Sequence, residues 1–426
     1  MKNIEKYTKF TLDNGLRLVI IPDSSREVVT TMAVFGVGSR YEEDRIAGIS
    51  HVLEHMLYKG TTQRPTSTLI SEFIEDIGGE HNAFTSKEYT GYYAKVASKY
   101  LERSIDFVSD LVLNPLFPEE EFEQEKQVIL QELKMYEDLP MEVASSKFEE
   151  ALLGSNNLGR DVIGYEKSIV SLTREDLVNY HHDNYTAANG IVVLAGNIGD
   201  ITLDEAKALV QRYFTLPEGE ETLCPDTNLN TSKAIKLVEK QTEQSNVIIG
   251  FRGAGYNNKD KYALKLLAMI LGGSMSSRMF TEIREKKGLA YAVRTSSSSY
   301  QDIGVIETYA GVPHERVSEA IEAILREYHR VFEDLTEAEV RRAKEIVYGR
   351  MLISEEDTSE VATHFALQSV MGKEILSVKE ISIILEKITR DDIINIGRKY
   401  LIESNLALGF VGQNFSKEKA EEILRF

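Results

Sequence analysis

Two stretches of this chain, 216 residues apart, can be laid on one another without a gap. LTREDLVNYHHDNYTAANGIVVLAGN starts at Leu172 and ITRDDIINIGRKYLIESNLALGFVGQ at Ile388. Thr173, Arg174, Asp176, Asn179, Asn189 and Gly196 meet Thr389, Arg390, Asp392, Asn395, Asn405 and Gly412, and most other positions keep their polarity. Each copy reads as a helix opened by a Thr N-cap with acids in its first turn, followed by an apolar strand ending in Gly. The offset is about half of the 426 residues, which places one copy at the end of each half. The chain is therefore read as a duplication with two related domains. Its length agrees, because single cores stop growing near roughly 250–300 residues.

Between the halves lies TLPEGEETLCPDTNLNTSK, residues 215–233, rich in turn formers and without an apolar period. It is expected to link a domain over 1–214 to a second over 234–426. Each half opens with strands, LRLVIIP and VVTTMAVFGVGS in the first, AIKLVEK and SNVIIGFRGAG in the second, and continues with helices. No Gly-rich phosphate fingerprint follows the first strand of either half, so a parallel dinucleotide-binding order is not suggested. The expected class is α+β: in each domain, a mainly antiparallel sheet with helices packed on one face.

The 68 acidic residues against 49 basic ones give a formal charge of -19. A field of that sign repels phosphate backbones and acidic membrane surfaces, excluding nucleic acid as a partner, and attracts cationic peptides. No apolar run approaches the ~18 residues that cross a bilayer. The N-terminus MKNIEKYTKFTLDNG reads as neither signal nor transit peptide. The single cysteine, Cys224, excludes a disulfide framework and fits a reducing compartment, so a cytoplasmic location is expected.

The chemistry begins at AGISHVLEHMLYKG, residues 47–60, with His51, Glu54 and His55. On a helix, positions i and i+4 share a face, so both imidazoles can reach one metal ion. Glu54 lies close enough to contact a water on that metal, the H-x-x-E-H order that inverts H-E-x-x-H. From the residue counts such a pattern is expected by chance about 0.02 times in a chain of this composition. A catalytic zinc usually takes three protein ligands and keeps an open position. The helix EEFEQEKQVILQELKMYED places Glu125 and Glu132 two turns apart on a face shared with Val128, Ile129 and Tyr136. Two carboxylates thus interrupt what reads as a buried stripe, where a metal or hydrogen-bond partner would relieve the desolvation penalty.

HVLEH followed 77 residues later by the last glutamate of EKQVILQE resembles the inverted zinc-binding motif of the M16 metallopeptidases, the family of pitrilysin, insulin-degrading enzyme and mitochondrial processing peptidase. The resemblance covers nearly the whole chain and is closest to the short bacterial processing-peptidase-like subfamily. It implies that His51, His55 and Glu132 bind zinc, that Glu54 is the general base and that Glu125 supports the site. GGEHNAFTSKEYTGYY, residues 78–93, is similar to the family's substrate-binding edge strand, which assigns Asn82, Ala83 and Phe84 to the substrate. REKKGLAY is similar to its Arg/Tyr pair, here Arg284 and Tyr291, reaching substrate from the opposite wall. LLAMILGG lies over LEHMLYKG at an offset of 213, with Leu264 and Ala268 where His51 and His55 stand. One copy kept the metal site and the other did not.

The function so implied is zinc-dependent endopeptidase activity on extended or unfolded peptides, within a chamber closed by two clamshell halves. Because this chain supplies two of the four domains of the long family members, a homodimer is expected, with a heterodimer as the alternative. Two other functions remain open at this point: a noncatalytic peptide-binding or scaffolding subunit, and a metal hydrolase acting on small molecules.

Overall fold

The computed structural model describes residues 7–154, 157–227, 232–372 and 374–426. The repeated segments become the same pair of elements twice. Helix α7 (Arg174–Asn184) leads to strand β6 (Gly190–Gly196), and α14 (Arg390–Tyr400) leads to β11 (Leu406–Gly412). Both helices open on a capping box. Thr173 and Asp176 exchange side-chain and backbone bonds at 3.2 and 3.0 Å, and Thr389 and Asp392 do so at 3.1 and 2.9 Å. The loops match as well: Asn189 Nδ2 donates to Asn184 O at 2.9 Å, and Asn405 Nδ2 to Tyr400 O at 2.8 Å.

The first sheet contains β1 (Thr8–Thr11), β2 (Arg17–Pro22), β3 (Val28–Phe35), β4 (Glu80–Thr85), β5 (Thr90–Ala97) and β6, in the order β1-β2-β6-β3-β5-β4. The second contains β7 (Ala234–Glu239), β8 (Ser245–Ala254), β9 (Ala292–Ser299), β10 (Ile303–Val312) and β11, in the order β7-β11-β8-β10-β9. Without β1 the two orders are the same. Register repeats too: Met32 lies between Val193 and Tyr93, and Ile248 lies between Gly409 and Tyr309. Among the described residues only the β2–β6 and β7–β11 pairs are parallel, so both sheets are mainly antiparallel, as expected.

The remaining helices in the first half are α1 (Ile49–Leu57), α2 (Ser67–Glu75), α3 (Leu101–Leu113), α4 (Glu119–Asp138), α5 (Pro140–Leu153), α6 (Glu166–Ser171) and α8 (Leu203–Tyr213). In the second they are α9 (Asp260–Gly272), α10 (Val317–Asp334), α11 (Glu337–Ser354), α12 (Thr358–Met371), α13 (Val378–Lys387) and α15 (Lys417–Ile423). Among the described residues, no helix is long and apolar enough to cross a membrane.

The chain forms two compact units, and they are not its two contiguous halves. The described residues within 1–133, 161–225 and 352–379 make one; those within 134–160, 226–351 and 380–426 make the other. In the first unit Val29, Ala33, Phe35, Tyr92, Val192 and Leu194 face a core shared with α1 and α3. The opposite face carries Val19, Met32, Val34, Ile191 and Val193, and α12 covers it with Val361, Ala362, Phe365 and Ala366. In the second unit Ile248, Val305, Ala407 and Val411 pack on Ala144, Phe148, Ala151 and Leu152 of α5. On its other face Phe251 meets Tyr328 of α10 with ring centroids 5.2 Å apart. Each sheet is thus covered on both faces, where one had been expected. Strands such as GIVVLAG, buried at every residue, require this. Gly409 admits α5 at close range, since a Cβ there would lie 2.6 Å from Phe148. Of the expected linker, residues up to Pro225 belong with the first unit, and 228–231 lie outside the described residues.

Candidate metal centre and active site

Helix α1 is short, and its position is set at its start. Gly48 adopts φ +94°, and a Cβ there would lie 2.4 Å from Ile163 O. The N–H groups of Gly48 and Ser50 donate to the two carboxylate oxygens of Glu42 at 2.7 and 2.8 Å, giving the helix an acidic cap from outside its own turn. Ile49, Val52, Leu53, Met56 and Leu57 are all buried in the core. The remaining stripe, His51, Glu54 and His55, is left half-buried on the other side.

Helix α4 brings the third candidate ligand. His51 Nε2 and His55 Nε2 lie 3.9 and 3.8 Å from Glu132 Oε2, and the two rings sit edge to face with centroids 4.6 Å apart. One ligand atom from each of the three residues lies within 4.8 Å of the others, the one such group among the described residues. A tetrahedral zinc with bonds of ~2.0–2.2 Å spaces its ligand atoms about 3.4 Å apart. The Glu132 oxygen thus stands about half an ångström beyond that spacing from each imidazole nitrogen, and the three donors are of the right chemical type.

The imidazoles are prepared for that role differently. His55 Nδ1 lies 2.7 Å from Glu125 Oε1, and Lys59 Nζ lies 2.5 Å from Glu125 Oε2. A carboxylate only accepts, so Nδ1 carries the hydrogen and Nε2 keeps its lone pair for a metal. Burial works against a charged His55, but the Glu125 bond and the charges of Glu132 and Glu54 raise its pKa above the usual value. Burial, with the neighbouring His55, pushes His51 down to about 4, so its ring is neutral at pH 7. Its buried Nδ1 finds no hydrogen-bond partner among the described residues. For Glu125, burial is outweighed by the bonds from His55 and Lys59, which hold the carboxyl below the ordinary range. For Glu54, burial, together with the charge of Glu132, raises the pKa against the opposing hydrogen bond from Thr85 and the His55 charge.

The stripe expected to be buried on α4 is only half so. Glu125 and Ile129 are buried at 5% and 0% exposure, but Val128 and Tyr136 are exposed at 48% and 39%. The helix packs by the side bearing Phe122, Glu125, Lys126 and Ile129. Glu132 therefore stands at the rim of the packed surface, where a metal ligand can meet both protein and solvent.

Asn82, Ala83 and Phe84 lie on β4, the terminal strand of the first sheet, opposite Tyr93, Tyr92 and Gly91. Asn82 Oδ1 accepts from the N–H of Ala83 at 2.9 Å. Phe84 spreads across Gly91, where a Cβ would lie 2.3 Å from its ring. In the second unit Arg284 belongs to a π-helical turn, Phe280–Lys286, and its guanidinium stands 4.8 Å from the ring centroids of both Phe280 and Tyr291. Tyr291 is 81% exposed. The two residues are brought together there. The second unit carries no metal ligands at the matching places. Leu264 and Ala268 are both buried on α9. The offset of 218 that lays α4 on α11 puts Ala343 and Arg350 where Glu125 and Glu132 stand.

Three residues escaped the sequence reading: Glu42, Lys59 and Thr85, whose hydroxyl donates to Glu54 Oε2. Lys59 continues the four-residue spacing of His51 and His55, and Thr85 shares a strand face with Ala83, so each left a faint periodic signal.

Residues 17–166 match the family model described as insulinase (peptidase family M16), and residues 171–347 the model described as peptidase M16 inactive domain. The uncharacterized zinc protease YmxG of Bacillus subtilis is 36% identical over 371 residues, covering 86% of this chain and 88% of that protein. The fold is similar to the crystal structure of a protease from Helicobacter pylori, with TM-score 0.90 at 23% identity over 96% of this chain and 99% of that one. It is also similar to that of a peptidase M16 inactive domain from Pseudomonas fluorescens, with TM-score 0.88 at 18% identity over 96% and 98%. The chain belongs to the M16 peptidase family.

Proposed function

We propose that this protein is a zinc-dependent endopeptidase acting on extended or unfolded peptides. The observation that carries the reading is the convergence of His51 and His55, on the same face of α1 as Glu54, with Glu132 of α4 within 4.8 Å. His51 and His55 would hold zinc through Nε2 and Glu132 through a carboxylate oxygen, with Glu125 fixing the His55 tautomer. Zinc bound there supplies a Lewis acid that polarises a carbonyl and lowers the pKa of water to about 7.

The chain's own residues do the rest. The peptide adds as a strand to the free edge of β4, so Asn82 and Ala83 read its backbone, and Asn82 gives up its hold on the Ala83 N–H. Glu54 takes the proton from the attacking water on the oxygen that Thr85 does not hold, and passes it to the leaving amine. Arg284 and Tyr291 steady the substrate backbone or the oxyanion, and a second copy of the chain is a sufficient source of that pair. The strongly acidic surface favours cationic peptides. A noncatalytic role is disfavoured by the full ligand set in the first unit, since the family model described as inactive begins only at residue 171.

The test is zinc analysis together with mass-spectrometric mapping of cleavages in a peptide library, on wild type and Glu54→Gln. The expected outcome is about one zinc per chain in both and cleavage by wild type alone. Zinc-replete wild type that cleaves no peptide would sink the reading; loss of zinc from a folded Glu54→Gln chain would put Glu54 in the wrong role.

A further inference from the structure

One residue of the edge strand is bonded directly to the proposed base. We propose that Thr85 is a positioning residue for Glu54, holding its carboxylate by Oε2 so that Oε1 alone is free for the reacting water. The proposal rests on the peptidase reading above. Glu54 Oε2 accepts from the Thr85 hydroxyl, and Oε1 has no hydrogen-bond partner among the described residues. A glutamate has three rotatable bonds, and half-buried beside open space it would sample several rotamers. A β-branched donor with a stiff χ1 at the end of a paired strand removes that freedom.

The donor is itself well held. Thr85 pairs opposite Thr90, and the connecting turn is closed by the Ser86 N–H to Tyr89 O at 2.8 Å. The N–H groups of Ser39 and Arg40 donate to Ser86 O and Lys87 O at 3.2 and 2.8 Å. The Arg40 guanidinium meets Glu88 at 2.5 Å, with both side chains 1% exposed. Two residues further on, Glu42 caps α1 through Gly48 and Ser50. The strand end and the helix are thus joined twice, by the segment 39–42 at the start of α1 and by the Thr85–Glu54 bond one turn later. The ring of bonds makes the orientation of the base depend on the strand to which the peptide adds. A bare hydrophobic contact between α1 and β4 would leave the carboxylate free to turn.

The experiment compares wild type, Thr85→Ser and Thr85→Val, zinc-loaded, on one fluorogenic peptide, with zinc content measured in each. Thr85→Val is expected to lose kcat by about ten- to a hundredfold with KM within about threefold, and Thr85→Ser to recover most of it. In a Glu54→Gln background, adding Thr85→Val should leave the Kd for the same peptide unchanged. Crystal structures supply a readout independent of turnover: one Glu54 rotamer in wild type and Thr85→Ser, and several in Thr85→Val. A Thr85→Val chain with wild-type kcat, while Glu54→Gln is inactive, overturns the proposal. So does a raised KM and weakened Kd at unchanged kcat, which would make Thr85 part of the docking edge alone. A single wild-type Glu54 rotamer in Thr85→Val also overturns it, whatever the activity. Zinc-loaded wild type without peptidase activity is the separate result that defeats the underlying reading.

Discussion

Glu125→Gln isolates the support of a metal ligand from the ligand itself. Glu125 is 5% exposed and uses one oxygen for His55 Nδ1 at 2.7 Å and the other for Lys59 Nζ at 2.5 Å. Glutamine has the same shape but only one accepting atom. If its oxygen stays on His55, its amide hydrogens face the Lys59 ammonium; if it turns, they face the His55 N–H. Either way one charge-assisted bond is replaced by opposed donors, a loss of about 1.5–3 kcal/mol. At 1.36 kcal/mol per decade this is about ten- to a hundredfold, the range usual for outer-shell partners of metal-binding histidines. Zinc affinity should fall by that factor in competition with a chromophoric chelator at pH 7.5, with thermal unfolding of the metal-free chains as the control for folding. A zinc Kd within twofold of wild type in folded Glu125→Gln and Glu125→Ala chains alike would refute the idea that this bond orients His55.

Other outcomes follow from the same structure. Burial, with the charge of Glu149, pushes Glu307 up to about 7 against Ser296 and Arg294, from an ordinary 4.5. An acid with a raised folded pKa loses stability as pH rises from 4.5 to 7, because the folded state must give up a proton that the unfolded chain has already lost. Glu307→Gln should therefore be more stable than wild type at pH 8 by ~3 kcal/mol and equal to it at pH 4, read by urea unfolding; equal stability at both pH values counts against the buried carboxyl. Phe365→Ala empties a site 2% exposed, which should destabilise the protein by about 3–5 kcal/mol. Hydrogen exchange should show the loss in β2, β3 and β6, not in the second sheet. Mixing inactive Glu54→Gln chains with inactive Tyr291→Phe chains should restore activity towards half per mixed dimer if the two sets of residues act across a homodimer. Activity that stays at the level of the separate variants after verified subunit exchange excludes the shared site.

The candidate metal group and its support were legible because helix periodicity spaces them: four residues from His51 to His55, seven from Glu125 to Glu132. The duplication was legible because capping boxes and turn asparagines tolerate little change in chemistry. The exchange of α5 and α12 was not, since an amphipathic helix shows that it will cover something without showing which sheet. Val128 and Tyr136 misled for the same reason, as apolar spacing marks a face that can be buried while tertiary packing decides how much of it is. The Thr85–Glu54 bond joins a strand to a helix 31 residues away and has no period that could announce it.

The exchanged helices make each unit depend on both halves of the chain. α5 and α12 are 218 residues apart, the same offset that lays α4 on α11, so each sheet is closed by the counterpart of the helix that closes the other. Such reciprocity is the geometry that exchange of an identical element between two related domains produces. A fragment ending at Pro225 would keep the first sheet but leave Val19, Met32 and Val193 without their cover, and the complementary fragment would leave Ile248 and Val305 bare. Expressed alone, each piece would present an aggregation-prone apolar face. Expressed together, they hold the α5 and α12 helices needed to cover both sheets from two polypeptides.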